Sequence, residues 1–244
     1  RYSNDLDYFH DSVERVAQAY AADSARLEGC GYEVTVEMHQ PGFVRAIVSQ
    51  GEHVTKIEWA HDSAWRFMPP IYNVTTGFQL HPIDVATNKV LALAGRNEAR
   101  DLVDVLEIHR AMLPLGALCW AAVGKDPGFT PLSLLELLKR RGRFRAEDFA
   151  RLQMVEPVDV VALKHSWLAA LDHAELFINR MPADEVGCLY YAPGKKQFVE
   201  PSVGEGVAEG SVLCHFGTPG GVLPQLYEGD MLATTWKAEP APGA

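Results

Sequence analysis

The chain opens on Asp5-Leu6-Asp7-Tyr8, and two carboxylates spaced two residues apart restrict what that stretch can become. Alternate side chains of a strand take opposite faces, so Asp5 and Asp7 project together while Leu6 and Tyr8 project the other way. Neighbouring carboxylates repel and resist burial unless a cation or hydrogen bonds compensate them. A hard divalent ion, held by carboxylates plus substrate phosphates, is one solution. An exposed Asp-rich turn built on Ser3-Asn4-Asp5 is the other. The spacing alone leaves both open.

The following elements bear on that choice. Residues 12–28 read as a helix, with Asp11 or Ser12 as cap, Val13, Val16, Tyr20 and Leu27 at helical spacing, and Gly29-Cys30-Gly31 as its end. Three strand-like runs follow at 32–39, 43–49 and 53–60. The turns Gln40-Pro41-Gly42 and Gln50-Gly51-Glu52 join them, which predicts an antiparallel meander. In the third run Lys56 and Glu58 share a face opposite Ile57. Val54 and Trp59 break strict alternation, so the facing is ambiguous. A carboxylate returning to the sheet that carries Asp5 and Asp7 would complete a three-carboxylate metal site. The alternative is an ordinary solvent-facing Lys56–Glu58 pair.

Residues 64–76, with Pro69-Pro70 and little periodicity, read as a loop. A helix is predicted from Ile83, with Gly95 as its breaker, and a second over 97–113. If helix continued through Gly95, Lys89, Arg96 and Arg100 would fall within about 20° of one another around the axis. Three cations on one side suit a triphosphate. The plainer reading is a solvated face with Arg100 and Asp104 as an i,i+4 pair.

Beyond Leu115 the pattern changes. Residues 116–123 are apolar and small, and helices are predicted at 132–140, 146–152 and 158–180. The second half also holds a basic cluster, Arg140, Arg141, Arg143 and Arg145, following Lys139 with Phe144 interleaved. It suits an RNA acceptor or a protein partner, although a helix C-terminus attracts cations for dipole reasons alone. From 182 the chain turns strand-like (187–191, 197–199, 211–216, 231–236), with loops at 203–210 and 217–221 and a tail at 239–244. These patterns predict an α+β protein with a sheet and flanking helices, then a helical region and a small β-rich C-terminal piece. The predicted boundaries are 1–110, 111–181, 182–237 and a tail at 238–244.

The 244 residues carry 32 acidic against 22 basic side chains, a net charge of -10. That argues against passive coating of nucleic acid, which needs a broad basic surface. No apolar run is long enough for a membrane span. The four cysteines are dispersed, with no Cys-x-x-Cys pair, and read as buried thiols of a reducing cytoplasm. The nine histidines form no His-Glu-x-x-His arrangement.

Three segments together resemble the AbiEii/AbiGii toxin-type nucleotidyltransferases of the minimal nucleotidyltransferase superfamily. They are Arg1-Tyr2-Ser3-Asn4-Asp5-Leu6-Asp7-Tyr8-Phe9, Lys56-Ile57-Glu58, and Asp84-Val85-Ala86-Thr87-Asn88-Lys89 followed by Arg96 and Arg100-Asp101-Leu102-Val103-Asp104. The resemblance covers residues 1–110 and implies that the sheet there is a nucleotidyltransferase-like mixed one. It implies transfer of a nucleoside monophosphate from an NTP to a hydroxyl acceptor, tRNA among the candidates, with Mg²⁺ or Mn²⁺ as cofactor and a cognate antitoxin as partner. Asp5 and Asp7 match the metal-binding Asp-x-Asp, Glu58 the third acidic position, Lys89 the lysine that meets the nucleotide phosphates, and Asp101 and Asp104 the later acidic signature. The family's Gly-Gly or Gly-Ser turn does not precede Asp5, and residues upstream of Arg1 are expected to be missing. Loss of that turn is compatible with a non-catalytic nucleotide- or protein-binding member of the same fold.

Overall fold

The computed structural model describes residues 5–96, 98–152, 154, 158–201, 212–224, 226–228 and 231–233. It is an α+β protein of two compact units, Arg1–Ala64 and Trp65–Ala244.

In the first unit, β1 (Asp5–His10) is followed by α1 (Val13–Gly29), β2 (Glu33–Gln40), β3 (Phe43–Gln50) and β4 (His53–His61). Ser12 caps α1, its hydroxyl accepting the Arg15 amide N–H at 3.2 Å. The strands form one mixed sheet in the order β1-β4-β3-β2. β2, β3 and β4 make the predicted antiparallel meander, and β1 joins β4 in parallel. One face packs under α1: Val16 meets Val44, Ala46, Val48, Ile57 and Trp59, all buried. Trp59 is fully enclosed, with Tyr8 stacked at 6.5 Å, Tyr20 edge-on at 5.3 Å, and its indole N–H donating to Asp23 at 2.9 Å. The ambiguous facing of β4 is thereby settled. Ile57 and Trp59 face the helix, so Val54, in phase with Lys56 and Glu58, is left exposed on the opposite face.

In the second unit, the predicted loop at 64–76 contains β5 (Trp65–Arg66), β6 (Ile71–Asn73) and, just beyond it, β7 (Gly77–Gln79). β6 and β7 form a hairpin held by Tyr72 against Phe78, a short contact that periodicity over so few residues does not reveal. Helices follow: α2 (Pro82–Arg96), α3 (Ala99–Ala111), α4 (Leu115–Lys125), α5 (Pro131–Arg141), α6 (Ala146–Ala150) and α7 (Val160–Ile178). Then come β8 (Cys188–Ala192), β9 (Gln197–Val199), β10 (Leu213–Phe216), β11 (Thr218–Pro219), β12 (Leu226–Glu228) and β13 (Met231–Ala233). β10-β8-β9 form a sheet, and β11 pairs with β5.

The small apolar run at 116–123 is α4, buried on every side from Leu115 to Val123, as befits a helix apolar all round. Val90 and Leu93 of α2, Leu102 and Val105 of α3, Leu134 and Leu138 of α5, and Trp167 and Leu171 of α7 join it in one core that extends to Tyr190. The predicted boundary at 110 is therefore corrected, since it would cut through this core; the division falls between Ala64 and Trp65. The boundary at 181 also runs through it, because Cys188 and Leu189 of β8 belong to the same cluster.

Cys119 and Cys188 are buried as expected, but Cys30 and Cys214 are exposed. Among the described residues no helix is long and apolar enough to cross a membrane. The predicted loop at 203–210, the end of the strand at 231–236 and the tail at 238–244 lie outside the described residues.

Candidate functional site

The parallel register of β1 on β4 sets Asp5 beside Lys56 and Asp7 beside Glu58. Neighbouring partners in a sheet point to the same side, so Asp5, Asp7, Lys56 and Glu58 share the face opposite α1. β3 adds Arg45, which pairs with Glu58 in the antiparallel register. Arg45 Nε donates to Glu58 Oε1 at 2.8 Å, and Lys56 Nζ lies 3.0 Å from the same oxygen and 3.3 Å from Asp5 Oδ2. Partial burial works against the Lys56 charge. The bonds to Glu58 and Asp5 outweigh it, so the ammonium is held above the ordinary lysine pKa.

The three carboxylates supply oxygen donors of the kind that Mg²⁺ or Mn²⁺ prefers. As they stand, Asp5 and Glu58 share the Lys56 ammonium. Among the described residues no group of three or more His, Cys, Asp or Glu side chains is drawn together tightly enough to hold a metal ion. The donor chemistry fits the ion, whereas entry of the ion requires Lys56 to swing out; a side chain 30% exposed has solvent to swing into.

The helical residues make a separate cluster within the second unit. Helix α2 runs through Gly95 to Arg96, and α3 begins at Ala99. Lys89 and Arg96, seven residues apart on α2, therefore share a face, while Arg100 belongs to the first turn of α3. The predicted stripe of three cations is corrected accordingly. Both α2 cations turn to α3. Arg96 grips Asp101 with two bonds, Nε to Oδ2 at 2.7 Å and Nη2 to Oδ1 at 2.9 Å. Lys89 Nζ lies 2.8 Å from Asp104 Oδ2 and 3.6 Å from Asp101 Oδ1.

The Asp101 side chain is fully buried. Burial alone would raise its pKa, but the Arg96 bonds and the charges of Arg96, Lys89 and Arg100 hold it below the ordinary carboxylate value. Its place in the first turn of α3 adds the favourable end of the helix dipole. The resembling acidic signature thus serves here as a clasp between two helices.

The basic cluster is also altered by the fold. Phe144 is buried and packs edge-on against Phe149 at 6.0 Å, so it is not an exposed stacking surface between the arginines. Arg140, Arg141, Arg143 and Arg145 are exposed, and Lys139 is tied to Glu136 at 2.7 Å and Glu175 at 3.0 Å.

Sequence reasoning passed over Arg45. The signal was there: a two-residue turn at Gly51-Glu52 pairs Gln50 with His53, and counting back along both strands sets Arg45 opposite Glu58. Gly51 takes the left-handed φ of 61° that such a turn demands of its first residue. A buried carboxylate, Asp84, was also missed as a fixture. It accepts the Phe67 and Met68 amide N–H groups at 2.6 and 3.0 Å and so ties the chain after β5 to the start of α2. A pocket of about 370 Å³ lined by Met68, His81, Ile83, Met112, Tyr191 and Phe198 contains none of the predicted site residues.

No protein-family model matches the chain, and no curated protein matches it, so the family resemblance rests on the motifs alone. Among solved structures, the chain has a distant likeness to MenT4, a nucleotidyltransferase toxin from Mycobacterium tuberculosis H37Rv. The two are 20% identical, with 75% of this chain and 70% of that chain covered and a TM-score of 0.40.

Proposed function

We propose that this chain is a metal-dependent nucleotidyltransferase that moves a nucleoside monophosphate from an NTP to a hydroxyl acceptor and releases pyrophosphate. The observation that carries the reading is the β1–β4 register, which sets Asp7 beside Glu58 and Asp5 one pleat away on the same face. Asp5, Asp7 and Glu58 would hold Mg²⁺ or Mn²⁺. When bound, the ion supplies charge neutralisation at the phosphates and alignment of the attacking and leaving oxygens.

Glu58 would accept the proton of the acceptor hydroxyl, with the bond from Arg45 Nε orienting its carboxylate. Lys56 and Arg45 would offset two of the three carboxylate charges until the ion arrives. The resemblance would give Lys89, Arg96 and Arg100 to the nucleotide phosphates, but Asp101 and Asp104 engage Arg96 and Lys89 between α2 and α3, so no phosphate role is proposed for them. The acceptor is proposed to be an RNA, engaged through the exposed arginines of the basic cluster. The family resemblance adds the proposal that the chain is the toxin of a toxin–antitoxin pair.

The test is the double substitution Asp5→Ala with Asp7→Ala, followed by pyrophosphate release from labelled NTPs with total RNA present. Release is expected to fall to background, with the melting temperature nearly unchanged because both side chains lie on a partly solvated face. Undiminished turnover in the double variant removes the proposal.

A second reading has its own observation. Lys56 and Arg45 already offset two of the three carboxylates, as they would in a non-catalytic member of the fold that binds nucleotide or a protein partner. Metal-dependent NTP binding with no pyrophosphate release selects that reading.

A further inference from the structure

The cleft of about 370 Å³ in the second unit opens between the start of α2, the end of α3 and the turn from β8 to β9. Its lining is mainly apolar, with Met68, Ile83, Met112, Phe198 and Leu223. The polar members are His81, Tyr191, Lys196 and Gln197. An apolar lining with a few polar groups, at this volume, is the usual make-up of a small-molecule site.

Tyr191 is the residue that points to a ligand. It is only 5% exposed, yet its hydroxyl has no hydrogen-bond partner among the described residues. A buried tyrosine hydroxyl ordinarily has one. Phe198 meets the ring edge-on at 5.5 Å, which fixes the phenol where it lines the cleft. Burial pushes its pKa up, so the group remains a donor.

His81 adds a second donor. Its Nδ1 accepts the Ile83 amide N–H at 3.2 Å, which leaves the ring proton on Nε2. That N–H has no partner among the described residues.

Lys196 supplies the charge. Among the described residues it is the one non-glycine with a left-handed φ, 53°, and its amide N–H meets the Pro193 carbonyl at 3.1 Å in the β8–β9 turn. Its side chain is exposed and forms no ion pair among the described residues. No aspartate or glutamate lines the cleft, so its excess of positive charge is uncompensated by any described residue of the wall.

These groups narrow the occupant. Donors around an unpaired cation, with no carboxylate among them, select an anion. The Phe198 ring and the two methionine sulfurs suit an aromatic body. At about 30 Å³ per non-hydrogen atom, the share a water takes in the liquid, the cleft has room for roughly twelve such atoms. A nucleoside triphosphate is too large for that space and carries more charge than one lysine answers.

We infer that this cleft binds a small aromatic monocarboxylate, its ring against Phe198 and the methionines and its carboxylate at Lys196, with Tyr191 and His81 donating to its oxygens. This inference stands apart from the proposed nucleotidyl transfer and does not depend on it.

The test is isothermal titration of the full chain with phenylpropionate. Its amide matches the shape without the charge, and acetate carries the charge without the ring. Saturable binding of phenylpropionate is expected, about tenfold or more tighter than the amide, with acetate weaker still. Lys196→Gln and Tyr191→Phe should each weaken it about tenfold. Melting should be unchanged in both, because neither side-chain head bonds to the described protein. Lys195→Gln, an exposed neighbour outside the lining, should leave binding intact.

Equal affinity for acid and amide, insensitivity to Lys196→Gln, or no phenylpropionate binding at millimolar concentration overturns the inference. Acetate or inorganic phosphate binding as tightly as phenylpropionate also overturns it, leaving a simple anion contact. Octanoate binding more tightly than phenylpropionate replaces the aromatic body with an aliphatic chain.

Discussion

The chain contains two assemblies of paired opposite charges built from similar side chains, and the depth of one carboxylate, Asp101, separates them. On the sheet, Asp5 and Glu58 share Lys56, and Arg45 completes the set; Arg45 and Lys56 keep about a third of their side-chain surface in solvent. Between α2 and α3, Asp101 is fully enclosed and held by two bonds from Arg96, with Lys89 and Asp104 alongside. A solvated ion pair gains little and exchanges partners readily, whereas breaking an enclosed one strands a charge without water. On the proposed reading the sheet cluster would trade Lys56 for a metal ion, whereas the helix cluster ties α2 to α3. Residues that look alike as motifs can serve chemistry in one place and architecture in the other.

The widest separation between them should appear in stability. Replacing Asp101 by alanine leaves Arg96 and Lys89 facing a void where the carboxylate was. The expected cost is about 1–3 kcal/mol, below that of breaking a fully buried pair because Arg96 is half exposed and can be re-solvated. Urea denaturation measures it directly. The sign with pH follows from the lowered Asp101 pKa. Such a group adds stability above its unfolded pKa of about 3.9, and that stability disappears as pH falls through the lower folded value. An Asp101→Asn chain should therefore lose this part of its acid sensitivity. A cost below 1 kcal/mol for the alanine variant, or an unaltered acid limb for the asparagine one, erases the distinction in depth.

Much of this contrast was legible in the amino-acid sequence, and the exceptions have physical causes. The α1 cap at Ser12, the meander turns and the shared face of Asp5 and Asp7 follow from local chemistry, which is why they could be read. The partners of those side chains depended on register. Nothing local to β1 says that it lies parallel to β4 with Asp7 beside Glu58. Gly95 marked the neighbourhood where α2 gives way to α3, but nothing local said that Lys89 and Arg96 would turn to Asp104 and Asp101 of the next helix. Phe144 looked exposed among arginines because helical phase ends at Gly142, and beyond it burial is set by Phe149.

A smaller effect sharpens the comparison from the other side. If Lys56 occupies the place a cation would take, Lys56→Met should raise the affinity of the face for Mg²⁺. Removing one unit charge a few ångströms from the ion, in a partly solvated setting, corresponds to about 1 kcal/mol, or roughly fivefold in affinity. Isothermal titration with Mg²⁺ on the nucleotide-free protein is the direct measurement. Weaker binding in the variant means that Lys56 orders the carboxylates for the ion rather than standing in its way. Absence of Mg²⁺ binding in both proteins leaves the acidic face as a self-contained ion-pair set.

The smallest change expected is at Glu58 itself. Glu58→Gln keeps the shape and the bond from Arg45 Nε while removing the charge that Lys56 and Arg45 share. Because both partners retain access to water, each can be re-solvated, and the stability change should stay within about 1 kcal/mol. At Asp101 the partners Arg96 and Lys89 also reach water, but the substituted group itself is fully enclosed, so an amide there leaves a buried group in place of a doubly bonded carboxylate. Measured side by side by urea denaturation, the two amide variants compare a partly exposed acid with a fully enclosed one whose cationic partners have similar access to water. A Glu58→Gln loss as large as that of Asp101→Asn means that the sheet cluster is as firmly committed to structure as the helix clasp, and a metal could then enter it only by unfolding part of the sheet.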